Sequence, residues 1–95
     1  MFARVSTYEI PANRLADAAR KFQGAVEEIQ EIDGFREAYV LVDSEDGRAL
    51  TMTVWDSRYA VETSRDAASR LRRTAARDSD GSIVSVVEYE VAAHI

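Results

Sequence analysis

The side chains best suited to chemistry are a tryptophan and several hydroxyl groups that recur at strand spacing. Thr51, Thr53 and Trp55 alternate along one segment, so in a strand they share one side. Ser6 and Tyr8 recur with the same spacing near the N-terminus. Polar groups placed in this way can line a pocket and orient a ligand. These residues are therefore the candidate pocket residues of a sheet.

Other candidates for catalysis or metal binding are few. His94, the only histidine, lies one residue from the C-terminus without a neighbouring nucleophile or second ligand, which fits a tail or dimer contact better than a base. The chain has no cysteine, no phosphate-binding glycine loop and no cluster of metal-ligand residues in its sequence. We therefore expect no metal and no cofactor.

Alternation and helical periodicity predict the elements that position these residues. A first strand is predicted over Phe2–Tyr8, followed by a helix that Asn13 caps and Asp33-Gly34 ends. Further strands are predicted at Phe35–Val42, Ala49–Trp55 and Ser82–Ala92, with a second helix that begins after Asp56 or Ser57.

The two helices differ in the side chains of their apolar faces. The first helix carries large ones, among them Leu15, Phe22 and Ile29. The apolar face of the second helix consists of small residues apart from Leu71. Its members are Ala60, Ser64, Ala67, Ala68, Leu71, Thr74 and Ala75. Such a face either packs closely on a sheet or leaves a mostly apolar cavity bounded by Trp55. In the second case Ser64, Ala67 and Thr74 are further candidate pocket residues.

The element order predicts the fold class. The order β-α-β-β-α-β is that of the ferredoxin-like split unit, an α+β fold. Right-handed crossovers place both helices on one face of a four-stranded antiparallel sheet, with the first and third strands central. The length of 95 residues fits one domain over residues 1–95.

The uncovered face of this sheet predicts a homodimer. Strand parity groups Val40 with Leu50 on one face, and Tyr39 and Leu41 with Thr51 on the other. Neither face resembles a solvated one, because exposed antiparallel sheets alternate apolar with clearly polar positions. A second copy, packed sheet to sheet, is the expected cover.

Composition restricts the partners further. A net charge of −5, with 46% hydrophobic and 31% charged residues, is ordinary for a folded chain and argues against nucleic-acid binding. The six arginines of the second helix lie opposite its apolar face and fit a solvated surface. Apolar runs are too short for a membrane span, so we expect a cytoplasmic protein without a membrane or nucleic-acid partner.

One local pattern connects these elements to a known family. Val54-Trp55-Asp56-Ser57 ends the third strand, and its tryptophan follows Gly34-Phe35 by about 20 residues. With the element order, this pattern resembles the antibiotic biosynthesis monooxygenase family of dimeric α+β barrels over nearly the whole chain. The resemblance implies a site between helices and sheet and makes Trp55 the candidate catalytic residue. Trp55 also fits a strand-end packing residue whose indole N–H is satisfied.

The resemblance implies several activities, because family members oxygenate aromatic polyketides without metal or flavin, degrade haem, or have no assigned activity. The oxygenating branch pairs its tryptophan with an asparagine and a tyrosine, whose positions here hold Thr51 and Val61. The haem-degrading branch uses a tryptophan and a histidine on the second helix, near which this chain has Ser64 and Thr74. Haem turnover is therefore not expected.

Two functions stay open. The first is a cofactor-independent monooxygenase for a small aromatic, polyketide-like or quinol-like substrate that forms a carbanion and reacts with oxygen directly. The second is a non-catalytic dimeric module that binds a small apolar or aromatic ligand or simply assembles. A ligand in the cavity between helices and sheet would be the most informative observation.

Overall fold

The regular elements follow the predicted order, and the computed structural model describes residues 1–95. The strands are β1 (Phe2–Glu9), β2 (Phe35–Asp43), β3 (Arg48–Trp55) and β4 (Ser82–Glu90). The α-helices are α1 (Leu15–Ile29), which follows a short 3-10 helix at Ala12–Arg14, and α2 (Arg58–Asp78).

The strands form one antiparallel sheet in the order β2-β3-β1-β4, so β1 and β3 are central as predicted. Helix α1 contacts β2 and β3, while α2 packs mainly over β1 and β4. Both helices cover the same face of the sheet. The predicted α+β, ferredoxin-like fold is confirmed.

The helices begin in different ways. At the start of α2, the Ser57 hydroxyl accepts a hydrogen bond from the backbone N–H of Ala60 at 3.1 Å, so the predicted cap is confirmed. The cap predicted at Asn13 is wrong. A 3-10 turn occupies that position, and α1 begins at Leu15 without a side-chain cap.

Gly34 brings the start of β2 close to α2. Helix α1 ends at Ile29 rather than at the predicted glycine, and Gly34 lies in the following turn with φ of +90°, a region that favours glycine. A Cβ at Gly34 would lie 2.5 Å from the Cβ of Ala60. The small residues at both positions therefore let the N-terminal end of α2 pack close to the sheet.

The register of the β2–β3 hairpin corrects the predicted sheet faces. Val40 lies opposite Thr51, on the face that the helices cover, whereas Leu41 lies opposite Leu50 on the outer face. The prediction that grouped Val40 with Leu50, and Leu41 with Thr51, is wrong. The hairpin loop sets the register, and a shift of one residue moves every side chain of a strand to the other face.

The outer face of the sheet carries large apolar side chains that no other part of the chain covers. Tyr39, Leu41, Val87 and Tyr89 are 44%, 51%, 40% and 53% exposed. They belong to β2 and β4, the edge strands, and flank the apolar outer residues of β1 and β3. All four strands therefore contribute apolar side chains to this face, which also carries the polar residues Glu37, Thr7 and Ser85.

Buried side chains under the helices form two separate core clusters. One contains Tyr8 and Phe22, whose ring centroids lie 4.3 Å apart. The other contains Ile29, Trp55 and Ala68. The break between the clusters coincides with a cavity, because Tyr8, Phe22, Ile29 and Ala68 all line it.

Candidate functional site

The central cavity lies between the sheet and the two helices and has a volume of about 30 Å³, which is room for one or two water molecules. Its floor is polar and comes from β1 and β3: Arg4, Ser6, Tyr8, Thr51 and Thr53. Its roof is mostly apolar and comes from α1 and α2: Phe22, Ala25, Val26, Ile29, Ala68 and Arg72.

The hydroxyl groups of the floor are held in place by hydrogen bonds. Tyr8 Oη and Thr51 Oγ1 lie 3.1 Å apart, and either can donate. Ser6 Oγ accepts from Nε of Arg72 at 3.1 Å, a bond that joins β1 to α2 across the cavity. The prediction that all six arginines of α2 fit a solvated surface is therefore wrong for Arg72, which is half-buried and lines the cavity. Because a hydroxyl has one proton and two lone pairs, these groups retain capacity to bind a ligand.

Trp55 lies beside the central cavity and does not line it. The residue is 0% exposed, and its indole N–H donates to Thr53 Oγ1 at 2.9 Å. Its ring packs edge-on against Phe35 with centroids 5.6 Å apart and lies 5.9 Å from the guanidinium carbon of Arg4. Trp55 thus contacts two residues of the cavity floor and restrains both.

The sequence candidates on α2 are not brought together in the cavity. Ser64 is buried behind it, Ala67 is half-buried outside it, and Thr74 is exposed in an open groove between α1 and α2. The buried face of α2 includes Val61, which is 3% exposed and was not part of the predicted apolar face. The buried face is therefore rotated toward Val61, and Ala67 and Thr74 lie at its edge. Ala68 is the small residue of α2 that lines the cavity.

Arg4 is the main residue of the site that sequence patterns did not single out, and it makes the cavity less apolar than predicted. It is 3% exposed and lies on the inner side of β1 with Ser6. Its Nη2 donates to the backbone oxygen of Val61 at 2.7 Å and to Ser64 Oγ at 3.2 Å. Alternation along β1 was the available signal, since an arginine on an inward strand position needs buried partners.

Glu88 on β4 connects Arg4 to the surface of α2. Its carboxylate accepts from Nε and Nη2 of Arg4 at 3.3 and 3.2 Å and from Nε of Arg65 at 3.0 Å. The hydrogen bond from Arg65, followed by that from Arg4, lowers the pKa of Glu88 below its ordinary value. Burial lowers the pKa of Arg4, although a guanidinium stays charged in proteins.

Residues outside the central cavity add no second chemical centre. His94 lies on the outer side of the sheet, in a groove that Tyr39 and Val54 also line. Nowhere in the chain do three or more His, Cys, Asp or Glu side chains come together as metal ligands could. Neither helix combines the length and the apolar character needed to cross a membrane.

Fold and site together define a ferredoxin-like domain with a small cavity between its helices and its sheet. A family model for antibiotic biosynthesis monooxygenases matches residues 1–76, which include every residue that lines this cavity. The chain belongs to this family, as the resemblance implied.

The relatives of known sequence and structure extend this finding. Two uncharacterised proteins, from two strains of Mycobacterium tuberculosis, are each 32% identical to this chain over 94 residues, which is 97% of this chain and 42% of theirs. The chain thus spans less than half the length of these relatives.

Solved structures with the same fold include two proteins of described activity. A cofactor-independent oxygenase from Streptomyces nogalater, SnoaB, superposes with a TM-score of 0.77 at 15% identity, covering 99% of this chain and 95% of its own. The haem degrader MhuD from Mycobacterium tuberculosis has a TM-score of 0.77 at 18% identity, covering 100% and 99%. At these identities the similarity establishes the fold.

Proposed function

We propose that this protein is a cofactor-independent monooxygenase that acts on a small aromatic substrate in the central cavity. The observation that carries the proposal is a polar floor facing an apolar roof in one space. A ring would lie against Phe22, Val26 and Ile29, while floor hydroxyls orient its oxygen substituents. Family membership and the shared fold with an oxygenase favour this class of reaction.

The proposed chemistry needs only the substrate and molecular oxygen. An electron-rich aromatic ketone with an acidic CH2 group loses a proton to give a carbanion, which reduces O2 directly, and the proton leaves on the reduced oxygen as part of the product water. Overall, CH2 and O2 become C=O and H2O, and the substrate supplies all four electrons that O2 accepts. The protein excludes water and stabilises the anion.

In this proposal Thr51, Thr53, Ser6 and Tyr8 are the polar pocket residues, and Trp55 holds the floor in place. The cavity of about 30 Å³ is smaller than an aromatic ring, so a substrate has to displace part of its wall. Arg72 is the movable part, because it is half-buried and has a long side chain.

An oxygen electrode tests this proposal. The protein is mixed with an aromatic ketone that carries an acidic CH2 group, in the presence of a metal chelator. We expect protein-dependent oxygen uptake and incorporation of one atom of ¹⁸O from labelled O2 into the product. Uptake that is abolished by the chelator, or no uptake across a panel of such ketones, would contradict the proposal.

A non-catalytic ligand-binding module is the second candidate function. It is favoured by the lining of the central cavity, which contains neither a carboxylate nor an imidazole to accept a substrate proton. The two candidates differ in one measurable respect. A binding module takes up an aromatic ligand stoichiometrically and consumes no oxygen.

We also propose that residues 1–95 form one domain that assembles as a cytoplasmic homodimer through the outer face of the sheet. The support is the apolar character of that face, on which Leu41 and Tyr89 are more than half exposed. A second sheet would cover these side chains, and the charged composition of the chain fits an aqueous compartment.

A further inference from the structure

Arg4 has buried hydrogen-bonding capacity that the protein does not use. Its Nε and Nη2 are bonded to Glu88, Ser64 and the backbone of Val61, whereas Nη1 is buried and has no partner. A guanidinium carries five N–H donors, two of them on Nη1. Because almost every buried donor in a protein is bonded, a free Nη1 at a residue that is 3% exposed calls for an acceptor.

The charges around Arg4 leave an excess of positive charge. Arg65 and Arg72 both lie close enough to Arg4 for their positive charges to lower its pKa. Glu88 is the one carboxylate that hydrogen-bonds to any of the three. Glu62 also acts on Arg65, but only through space. An additional anion would be stabilised here, and most strongly where water is excluded.

The central cavity is the space beside Arg4 that can hold such an anion. Arg4 and Arg72 both line it, one in the floor and one in the roof. Tyr8, Thr51 and Ser6 contribute hydroxyl groups, and no acidic residue lines the cavity to repel an anion. The remaining wall is apolar, so a ligand that matches it combines one anionic oxygen with an apolar body.

We infer that the central cavity recognises a small aromatic acid, whose anionic oxygen is bound between Arg4 Nη1 and the guanidinium of Arg72. This inference rests on the proposed function and narrows its substrate class to molecules ionised at neutral pH. The anionic group is a carboxylate or an ionised aromatic hydroxyl, because both present oxygen acceptors to a guanidinium. The bond from Arg72 to Ser6 is exchanged for one to the ligand.

Binding of matched probes, measured by isothermal titration calorimetry at pH 7, tests the inference. The probes are 1-naphthoate, its neutral counterpart 1-naphthamide, and 2,4-dinitrophenolate. We expect at least one anionic probe to bind about tenfold or more tightly than 1-naphthamide, as a charged hydrogen bond implies. The probe that binds identifies the carboxylate or the ionised hydroxyl as the recognised group.

Variants then assign the binding to the cavity. Arg72→Met should weaken binding of the anionic probe about tenfold or more and leave 1-naphthamide unchanged. Arg73→Met is the matched control, because Arg73 is the next residue of α2, is exposed and bonds only to Ser69. Arg4→Met should act like Arg72→Met; if it fails to fold, Arg72→Met remains decisive.

Several results would overturn the inference: no anionic probe binds, 1-naphthamide binds as tightly, or Arg73→Met weakens binding as much as Arg72→Met. Failure of the proposed function looks different. Tight naphthoate binding that depends on Arg72, together with no oxygen uptake from any ketone of the panel, supports the inference and contradicts the oxygenase. Oxygen uptake with a neutral ketone, without preference for anionic probes, does the reverse.

Discussion

Glu88 supports the central cavity from outside, because it is the shared partner of Arg4 and Arg65. It is partly exposed, with 27% of its side chain accessible, whereas Arg4 is almost fully buried. Removing the carboxylate leaves the Arg4 guanidinium in a poorly solvated place with fewer acceptors. Removing one partner of a buried ion pair lowers stability by more than the intact pair contributes, because the charge that remains is uncompensated.

Replacing Glu88 should therefore make stability less dependent on pH. The pKa of Glu88 is lower in the folded protein than its ordinary value of 4.5. Ionised Glu88 therefore contributes fully to the free energy of unfolding above pH 4.5, and this contribution is lost as the pH falls through the lower pKa of the folded state. We expect Glu88→Gln to lower the free energy of unfolding by about 1–3 kcal/mol at pH 7. Urea unfolding at several pH values should show this difference shrinking below about pH 4.5.

Glu90→Gln is the control for Glu88→Gln, because Glu90 is exposed on the same strand and makes no ion pair. It should change stability little at any pH. A loss for Glu88→Gln that stays the same from pH 7 to pH 3 would show that the network with Arg4 does not set the pKa of Glu88.

Trp55 should behave as a positioning residue. Trp55→Phe removes the indole N–H that donates a hydrogen bond to Thr53 Oγ1, and it leaves a smaller ring beside Arg4. We expect the free energy of unfolding to fall by about 1–3 kcal/mol, with aromatic ligands still bound by the folded protein. Tyr59→Phe, at a residue 73% exposed, serves as the control. Unchanged stability with complete loss of binding would instead show that Trp55 touches the ligand.

At the scale of elements, the small face of α2 decides how much space lies beneath it. Ala68 is 3% exposed and lines the central cavity, whereas Ala67 is half-buried outside it. Ala68→Leu should fill the cavity, abolish ligand binding and cost about 1–3 kcal/mol through overpacking. Ala67→Leu should cost less and preserve binding. Thermal unfolding measures the stability of both variants, and calorimetry measures their ligand binding. Equal effects of the two substitutions on binding would show that the ligand does not bind in the central cavity.

The same helix argues against haem turnover. Near the positions where the haem-degrading branch has a tryptophan and a histidine, α2 has Ser64, which is buried and bonded to Arg4, and Thr74, which is exposed. Neither side chain is a ligand that haem iron prefers. With haem and a reductant, the porphyrin spectrum should stay unchanged over time. Stoichiometric binding followed by loss of the Soret band would contradict this prediction.

The elements themselves were predictable because each carries a local signal. Alternation marks β1, and Ser57 supplies a cap for α2. The start of α1 was not predictable, because a 3-10 turn after Pro11 has no distinct sequence pattern. The inward direction of α2 cannot be predicted from helical periodicity alone, because it depends on Val61 packing on the sheet, which is a tertiary contact.

At the scale of the whole molecule, the outer sheet face should form a dimer interface. Leu41→Asp, and likewise Tyr39→Asp, would place a charge in that interface and should convert the dimer to a monomer. Val42→Asp is the control, because Val42 is 52% exposed against 51% for Leu41 but belongs to the opposite face of β2. Analytical ultracentrifugation at micromolar concentration measures the state. A monomeric parent protein, or a Leu41→Asp dimer, would refute the assembly.

The site was predictable in part for a physical reason. Strand alternation is a property of the local sequence, so it could group Ser6 with Tyr8 and Thr51 with Thr53, and all four residues line the central cavity. The charged part was not predictable, because Arg4 receives its partners from residues 57 to 84 positions away in the sequence. Only the assembled sheet and α2 bring these partners together.

Both candidate functions require ligands to bind in the cavity between the helices and the sheet. A crystal structure of the protein soaked with 1-naphthoate tests it most directly. We expect the ring beneath Phe22 and Val26, the carboxylate within hydrogen-bond distance of Arg4 Nη1, and Arg72 moved away from Ser6. Naphthoate bound instead in the open groove between α1 and α2, or on the outer face of the sheet, would contradict it.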